Sequence, residues 1–220
     1  MKPFKTSIKK LLEQKDYQSL RKQLFENPNL SNEGITIPYD FFCRTKAHPL
    51  HRICDAVFAG KITDEEAIQF AKIFLEFGAN IDGDKKKDEG TPILAASSLH
   101  AEKLGIFYIE NGADIHYTHK NNGASALHWA SYCGRDKLAK RLIEVGAEID
   151  KADRNYNSTP LGWAIHSLQT RDVGNNHNQI GCIKLLLKNG ADVKRLDSVK
   201  KDYLFSLGND DSKLQNLLNQ

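Results

Sequence analysis

No stretch of this chain approaches the roughly 18 consecutive apolar residues that a bilayer-crossing helix needs. The N-terminal MKPFKTSIKK also lacks the apolar core of a secretory signal. Charge of one sign is scarce: the formal net charge is +3, too small by itself to point to nucleic acid or acidic lipid. Cysteine is thinly spread, at Cys43, Cys54, Cys133 and Cys182, three of them inside helix-like patterns. That spacing fits reduced thiols acting as small apolar residues better than a disulfide framework. The expectation is a soluble, cytoplasmic protein. A nucleophile elbow, a P-loop, an H-E-x-x-H pair and a dinucleotide fingerprint are all missing, and the eight histidines form no catalytic set. We therefore expect no catalysis and no cofactor.

What is present is a repeat. Gly-Ala recurs at Gly78-Ala79, Gly112-Ala113, Gly146-Ala147 and Gly190-Ala191, each time followed by Asn, Asp or Glu and then Ile or Val. A second marker opens a helix at Pro49-Leu50-His51, Pro92-Ile93-Leu94, Ala126-Leu127-His128 and Pro160-Leu161-Gly162. Each Gly-Ala glycine precedes the next marker by 14 residues. From marker to glycine the distance is 20 in the two central copies, 29 in the first and 30 in the last. Proline at a first helical position needs no N–H partner, and Thr91 or Thr159 just before it can cap the helix. Glycine past the second helix accepts the left-handed conformation at little cost. A unit this small cannot bury its own apolar face, so neighbours must stack.

These residues resemble the ankyrin repeat family, with its T-P-L-H-x-A opening and its L-L-x-x-G-A-D-V close. The best matches are Thr159-Pro160-Leu161 with Ala164, Leu127-His128 with Ala130, and Leu186-Leu187 with Gly190-Ala191-Asp192-Val193. Leu94 and Gly162 stand where the family has histidine, and Ala126 where it has proline. The central period of 34 residues exceeds the family's ~33, which implies one extra residue per connecting hairpin. The resemblance implies an all-α, ankyrin-type helical solenoid of about six helix pairs, joined by β-hairpin-like loops, with degenerate caps at both ends. As one domain over 1–220, it divides into an N-terminal cap (1–30), a connection (31–46), repeat 1 with an insertion (47–83), repeat 2 (84–117), repeat 3 (118–151), repeat 4 with an insertion (152–195) and a C-terminal cap (196–220).

In the N-terminal cap, Ile8, Leu11 and Leu12 mark one apolar face, and Tyr17, Leu20, Leu24 and Phe25 the next. Lys9, Lys10, Lys15 and Lys22 are read as its solvated side rather than as a lipid contact. The connection carries Ile35, Ile37, Phe41 and Phe42, expected to fold against the first units. Thr63 and Glu66 have the spacing of a capping box. The extra residues are expected at inter-helix turns, around Asp55–Ile62 and Gln169–Asn178. Asp202–Leu207 and Ser212–Leu218 read as the closing helix pair, with Leu204, Leu207, Leu214, Leu217 and Leu218 inward. Lys85, Lys86 and Lys87, bracketed by Asp84, Asp88 and Glu89, read as a solvated hairpin tip.

His48, His51 and Cys54, with Cys43 nearby, have a zinc-like spacing. A structural site needs four converging ligands, and the resemblance instead gives His51 and His128 a bridging role between backbone groups of adjacent hairpins. We expect no metal. The resemblance also places the first helix of each unit on the concave side, with positions three, six and seven after the proline outward. Those are Arg52, Asp55 and Ala56; Ala95, Ser98 and Leu99; Trp129, Tyr132 and Cys133; and Trp163, His166 and Ser167. Neighbouring repeats lie about 10 Å apart, so Trp129, Tyr132, Trp163 and His166 are expected to form one patch. It serves either as a binding anchor or as a seal between repeats. The two insertions are expected to contribute recognition loops. The function expected is a non-catalytic protein–protein interaction module. It would bind a protein partner on its concave face as a monomer, with no nucleic acid and no membrane. A dedicated regulator or immunity-like inhibitor of one enzyme is the alternative, and an enzyme or zinc protein the remote one.

Overall fold

The computed structural model describes residues 6–36, 46–84, 90–170 and 178–219. Cys43, Ile37, Phe41 and Phe42, the run Lys85-Lys86-Lys87 with Asp88 and Glu89, and residues 171–177 of the second insertion lie outside them. The chain divides into two compact units, Met1–Asp114 and Ile115–Gln220.

In the first unit the elements are α1 (Ile8–Gln14), α2 (Tyr17–Glu26), a short 3-10 turn (Pro28–Ser31), β1 (Ile35–Thr36), β2 (Lys46–Ala47), α3 (Pro49–Phe58), α4 (Asp64–Glu76), α5 (Pro92–Ser98) and α6 (Glu102–Glu110). The two strands pair antiparallel, Ile35 opposite Ala47. The helices form two rows, with α1, α3 and α5 packed in one and α2, α4 and α6 in the other. Leu11, Leu20, Ile53, Phe70, Phe74 and Leu104 fill the space between them. Tyr108 is buried there too, and its hydroxyl donates to the Leu50 carbonyl at 2.7 Å. Phe25, expected on the apolar face of the cap, is exposed instead.

The second unit repeats the plan with α7 (Ala126–Tyr132), α8 (Asp136–Glu144), α9 (Pro160–Thr170), α10 (Gln179–Lys188), α11 (Ser198–Asn209) and α12 (Ser212–Leu218). Here α7, α9 and α11 form one row and α8, α10 and α12 the other. The closing pair begins at Ser198, four residues before the expected Asp202, and buries Leu204 and Leu214 while Leu207, Leu217 and Leu218 are half-buried.

The Gly-Ala marker has a single structural cause. At each copy the alanine N–H reaches back five residues and the glycine N–H three, as in Ala147 to the Leu142 carbonyl (2.9 Å) and Gly146 to the Ile143 carbonyl (3.0 Å). This double bond closes α4, α6, α8 and α10 alike, and it requires the glycine in the left-handed region. Gly78, Gly112, Gly146 and Gly190 have φ of 81°, 85°, 96° and 90°. A Cβ on any of them would meet nothing within 4 Å, so backbone conformation alone selects glycine there.

The insertion of the first repeat is not the loop expected around Asp55–Ile62. Helix α3 is 10 residues long against 7 for α5, and α4 is 13 against 9 for α6. Most of the excess therefore extends the two helices, and only the remainder lengthens their turn. Added helical residues satisfy their own backbone groups, which an added loop does not. The extended α3 ends in Phe58, which is 59% exposed and meets the His100 ring of the next turn edge-on at 5.5 Å. In the last repeat α9 likewise grows to 11 residues and reaches Thr170.

Caps follow the sequence with one exception. Thr63 and Glu66 form the capping box of α4, Ser125 and His128 form one on α7, and Thr159 Oγ1 accepts from Gly162 N at 3.4 Å. Thr91 makes no cap bond, and its buried hydroxyl has no partner. Helix α6 has no side-chain cap of its own. Its Lys103 and Leu104 N–H groups donate instead to the carboxylate of Asp64, on the preceding helix pair, at 2.6 and 2.8 Å.

Candidate functional site: an aromatic patch on the second unit

Helices α7 and α9 each place a tryptophan three residues after the helix start. The Trp129 and Trp163 rings meet edge-to-face with centroids 5.1 Å apart. Tyr132 packs edge-on to both, at 6.2 Å from Trp129 and 5.8 Å from Trp163, and lies roughly parallel to His166 at 6.4 Å. All four residues expected in the patch are therefore together. The two indoles and Tyr132 are half-buried, and His166 is exposed. Edge-to-face contacts of this kind hold aromatic rings in fixed relation, so the patch is rigid and still reachable.

Two buried residues hold it. Asp153, 3% exposed, sits at the turn of the hairpin before α9. Its Oδ1 accepts from Asn155 N and Tyr156 N at 2.8 Å each, and its Oδ2 from Ser158 N at 3.1 Å and the Trp163 indole N–H at 3.0 Å. Burial alone would raise this carboxyl, but the four donors, the indole first among them, outweigh burial and hold it below the usual carboxylate range. His128 is the second. Its Nδ1 faces Ser125, its Nε2 lies 3.1 Å from the Ser158 carbonyl, and its ring touches Trp163 edge-on at 5.3 Å. Burial pushes its pKa down to about 4, against the opposing pull of the Ser158 carbonyl. His128 thus links neighbouring hairpins as expected. His51 does not show the same linkage: its Nδ1 is buried without a partner, and burial takes its pKa to about 3.

The other expected outward positions divide. Position seven faces inward at Ala56, Cys133 and Ser167, all buried. Seven residues is close to two full turns, so this position returns to the face of the buried helix start. In the first unit Arg52 also turns inward, at 5% exposure, donating through Nε to the Ile35 carbonyl and pairing with Asp55. Ala95 is buried, while Asp55, Ser98 and Leu99 are half-buried. Sequence reasoning missed Asp153, Arg154 and Tyr156. The signal available was an aspartate opening a polar run before a Ser-Thr-Pro helix start, the setting in which Asx side chains bond the following backbone.

Among the described residues, no group of three or more His, Cys, Asp or Glu is placed to hold a metal ion. His48 caps α3, accepting from Leu50 N at 3.3 Å, and Cys54 is buried against the Leu50 and Pro92 carbonyls. Cys54, Cys133 and Cys182 are all buried. No described helix is long and apolar enough to cross a membrane.

No curated protein matches this chain significantly. Residues 93–197 match a family model described as ankyrin repeats, in 3 copies. The paired helices, the four identical Gly-Ala closures and this match agree: residues 93–197 are ankyrin repeats, and the fold is an all-α, ankyrin-type solenoid.

Proposed function

We propose that this chain binds a protein partner without catalysis, and that Trp129, Tyr132, Trp163 and His166 anchor the contact. Ankyrin repeats are generally protein–protein interaction modules and typically non-catalytic. The observation that carries the reading is the geometry of the patch: two indoles and a phenol held by mutual edge contacts and by Asp153, yet left partly open. Tryptophan and tyrosine dominate binding hot spots. A surface already ordered before association loses little entropy on binding. Asp55, Ser98 and Leu99 are half-buried in the first unit and are proposed as secondary contacts there. Arg52, turned inward onto Asp55, acts by orienting it.

The test is quantitative capture of partners from the native source by the wild-type chain and by His166→Ala and Trp129→Ala variants, each checked by thermal melting. His166 is exposed and its ring stacks on Tyr132, so its removal should leave the melting midpoint nearly unchanged while weakening capture. Two folded variants that retain the same partner at unchanged affinity would remove the patch from the site. A single stoichiometric enzyme among the captured proteins would define the module as a dedicated regulator.

A further inference from the structure

Helix α7 ends on a residue of the patch. It is only 7 residues long, and Tyr132 is the last of them. The final four carbonyls of a helix have no partner within it, and helices fray from their ends. Three of the four are met here by the turn that follows. Cys133 N–H donates to the Trp129 carbonyl at 2.9 Å, Arg135 N–H to that of Ala130 at 2.8 Å and Gly134 N–H to that of Ser131 at 3.3 Å. The fourth, of Tyr132, is met from the next repeat. Gln179, the first residue of α10, donates to it through Nε2 at 3.1 Å.

The same Nε2 donates to Ser167 Oγ at 3.2 Å, and Ser167 directly follows His166 in α9. One amide thus clips the end of α7 to α9 beside the stacked rings of Tyr132 and His166. Its oxygen is left over: Gln179 is 1% exposed, and Oε1 has no partner. A Cβ on Gly134 would lie 2.8 Å from that oxygen, so the glycine leaves the room in which it sits. Reversing the amide would set the oxygen against the Tyr132 carbonyl, acceptor to acceptor. An unmatched buried acceptor is a cost, and it accompanies two donor bonds that both end next to the patch. Asn178 fixes the amide from the preceding position. Its N–H donates to the Gly134 carbonyl at 2.9 Å and its Nδ2 to Asp136 at 3.0 Å, while its Oδ1 caps α10 by accepting from Gly181 N at 2.9 Å.

We propose that Gln179 is the positioning residue for the Tyr132–His166 side of the patch, as Asp153 is for Trp163, and that the second insertion bears on binding through this returning end. This rests on the aromatic patch being the binding site. Gln179 is too buried to meet a partner and acts through the Tyr132 carbonyl and the Ser167 hydroxyl. Without its donor the last turn of α7 loosens, and Tyr132 moves off the two indoles it packs against at 6.2 and 5.8 Å.

Both tryptophans of the chain lie in the patch, and there are 2 in all, so acrylamide quenching of indole emission reads how well Tyr132 covers them. The experiment compares the full chain with Gln179→Met, which keeps the length and loses the donor, and with Gln179→Glu, whose carboxylate offers only acceptors at pH 7. Ile183→Val is the control, a loss of packing at a buried residue of the same helix. Each is measured well below its own melting midpoint. Steeper quenching and emission at longer wavelength are expected for both Gln179 variants, and wild-type values for Ile183→Val. Affinity for the protein that the wild-type chain captures should fall about fivefold or more with the Gln179 variants, as at a binding hot spot. Wild-type quenching in the Gln179 variants, an equal rise in Ile183→Val, or failure of both Gln179 variants to fold would overturn the proposal and leave Gln179 a residue of the core. Such a result together with loss of the captured partner in Trp129→Ala would still keep the docking site. Steeper quenching with unchanged affinity would keep the hold of Gln179 on the rings and overturn their part in binding.

Discussion

The carboxylate of Asp153 accepts the indole N–H of Trp163 at 3.0 Å while closing its own hairpin through three backbone N–H groups. One buried group therefore sets both the turn and the orientation of the ring ten residues on. Asparagine is nearly isosteric but replaces one acceptor oxygen with a donor, which would face two of these donors. Asp153→Asn should destabilise the second unit by about 1–3 kcal/mol and shift tryptophan emission to longer wavelength. Denaturant unfolding and emission spectra check this, and an unchanged spectrum would show that the bond does not hold the ring.

Two left-handed glycines should respond very differently to alanine. At Gly146 a Cβ meets nothing within 4 Å, so Gly146→Ala costs only the backbone strain, about 1–2 kcal/mol. At Gly134, with φ of 64°, a Cβ would lie 2.4 Å from the Asn178 backbone nitrogen, which donates to the Gly134 carbonyl at 2.9 Å. Gly134→Ala should therefore destabilise clearly more than Gly146→Ala. Equal melting midpoints would contradict the close approach of α10 to this turn.

Acid should act first through the buried histidines. The pKa of His128 lies near 4 in the folded chain, below the ordinary ~6.5 that it regains on unfolding. Between those values the unfolded chain binds the extra proton. Stability is complete above pH ~6.5 and is lost as pH falls toward 4, with a slope approaching about 1.4 kcal/mol per pH unit for one histidine. Asp153, held below the usual carboxylate range, contributes its loss at lower pH. His128→Asn should flatten the profile between pH 6 and 4.5, roughly the interval between the two histidine values. Denaturant midpoints for both proteins across that range test it, and parallel profiles would exclude His128.

Asp64 caps a helix that is not its own. Its oxygens take the Lys103 and Leu104 N–H groups of α6 at 2.6 and 2.8 Å, and burial raises its carboxyl despite those donors. Asp64→Ala should cost about 1–2 kcal/mol and raise amide exchange at the first turn of α6, while the Thr63–Glu66 box keeps the start of α4 protected. Unchanged protection at α6 would show that Asp64 does not cap it.

Much of this was legible because the repeat is written in residues with one physical role. Gly146-Ala147 and its counterparts mark a left-handed closure with a buried alanine behind it, and no other residue pair meets both demands as easily. The aromatic patch could be placed from Trp129 and Trp163 because equivalent positions on adjacent first helices must be neighbours. Burial at Arg52 could not, since it depends on the Ile35 carbonyl from a strand outside the repeat pattern. Position seven was misplaced at Ala56, Cys133 and Ser167 because two helical turns bring it back to the core face. Asp153 escaped notice because its bond to Trp163 belongs to neither the helical nor the repeat period. The first insertion looked like a loop because counting gives only its length, whereas Ile53, Ala56 and Val57 let α3 continue to Phe58.

That last difference changes how this repeat has grown. Residues added as helical turns arrive with their backbone groups already paired and bring new side-chain surface, and here Phe58 spends some of it covering the imidazole of His100, whose φ is 66°. Enlargement by this route ties a unit more tightly to its successor. Lengthening by slack chain would have left the two as independent as before.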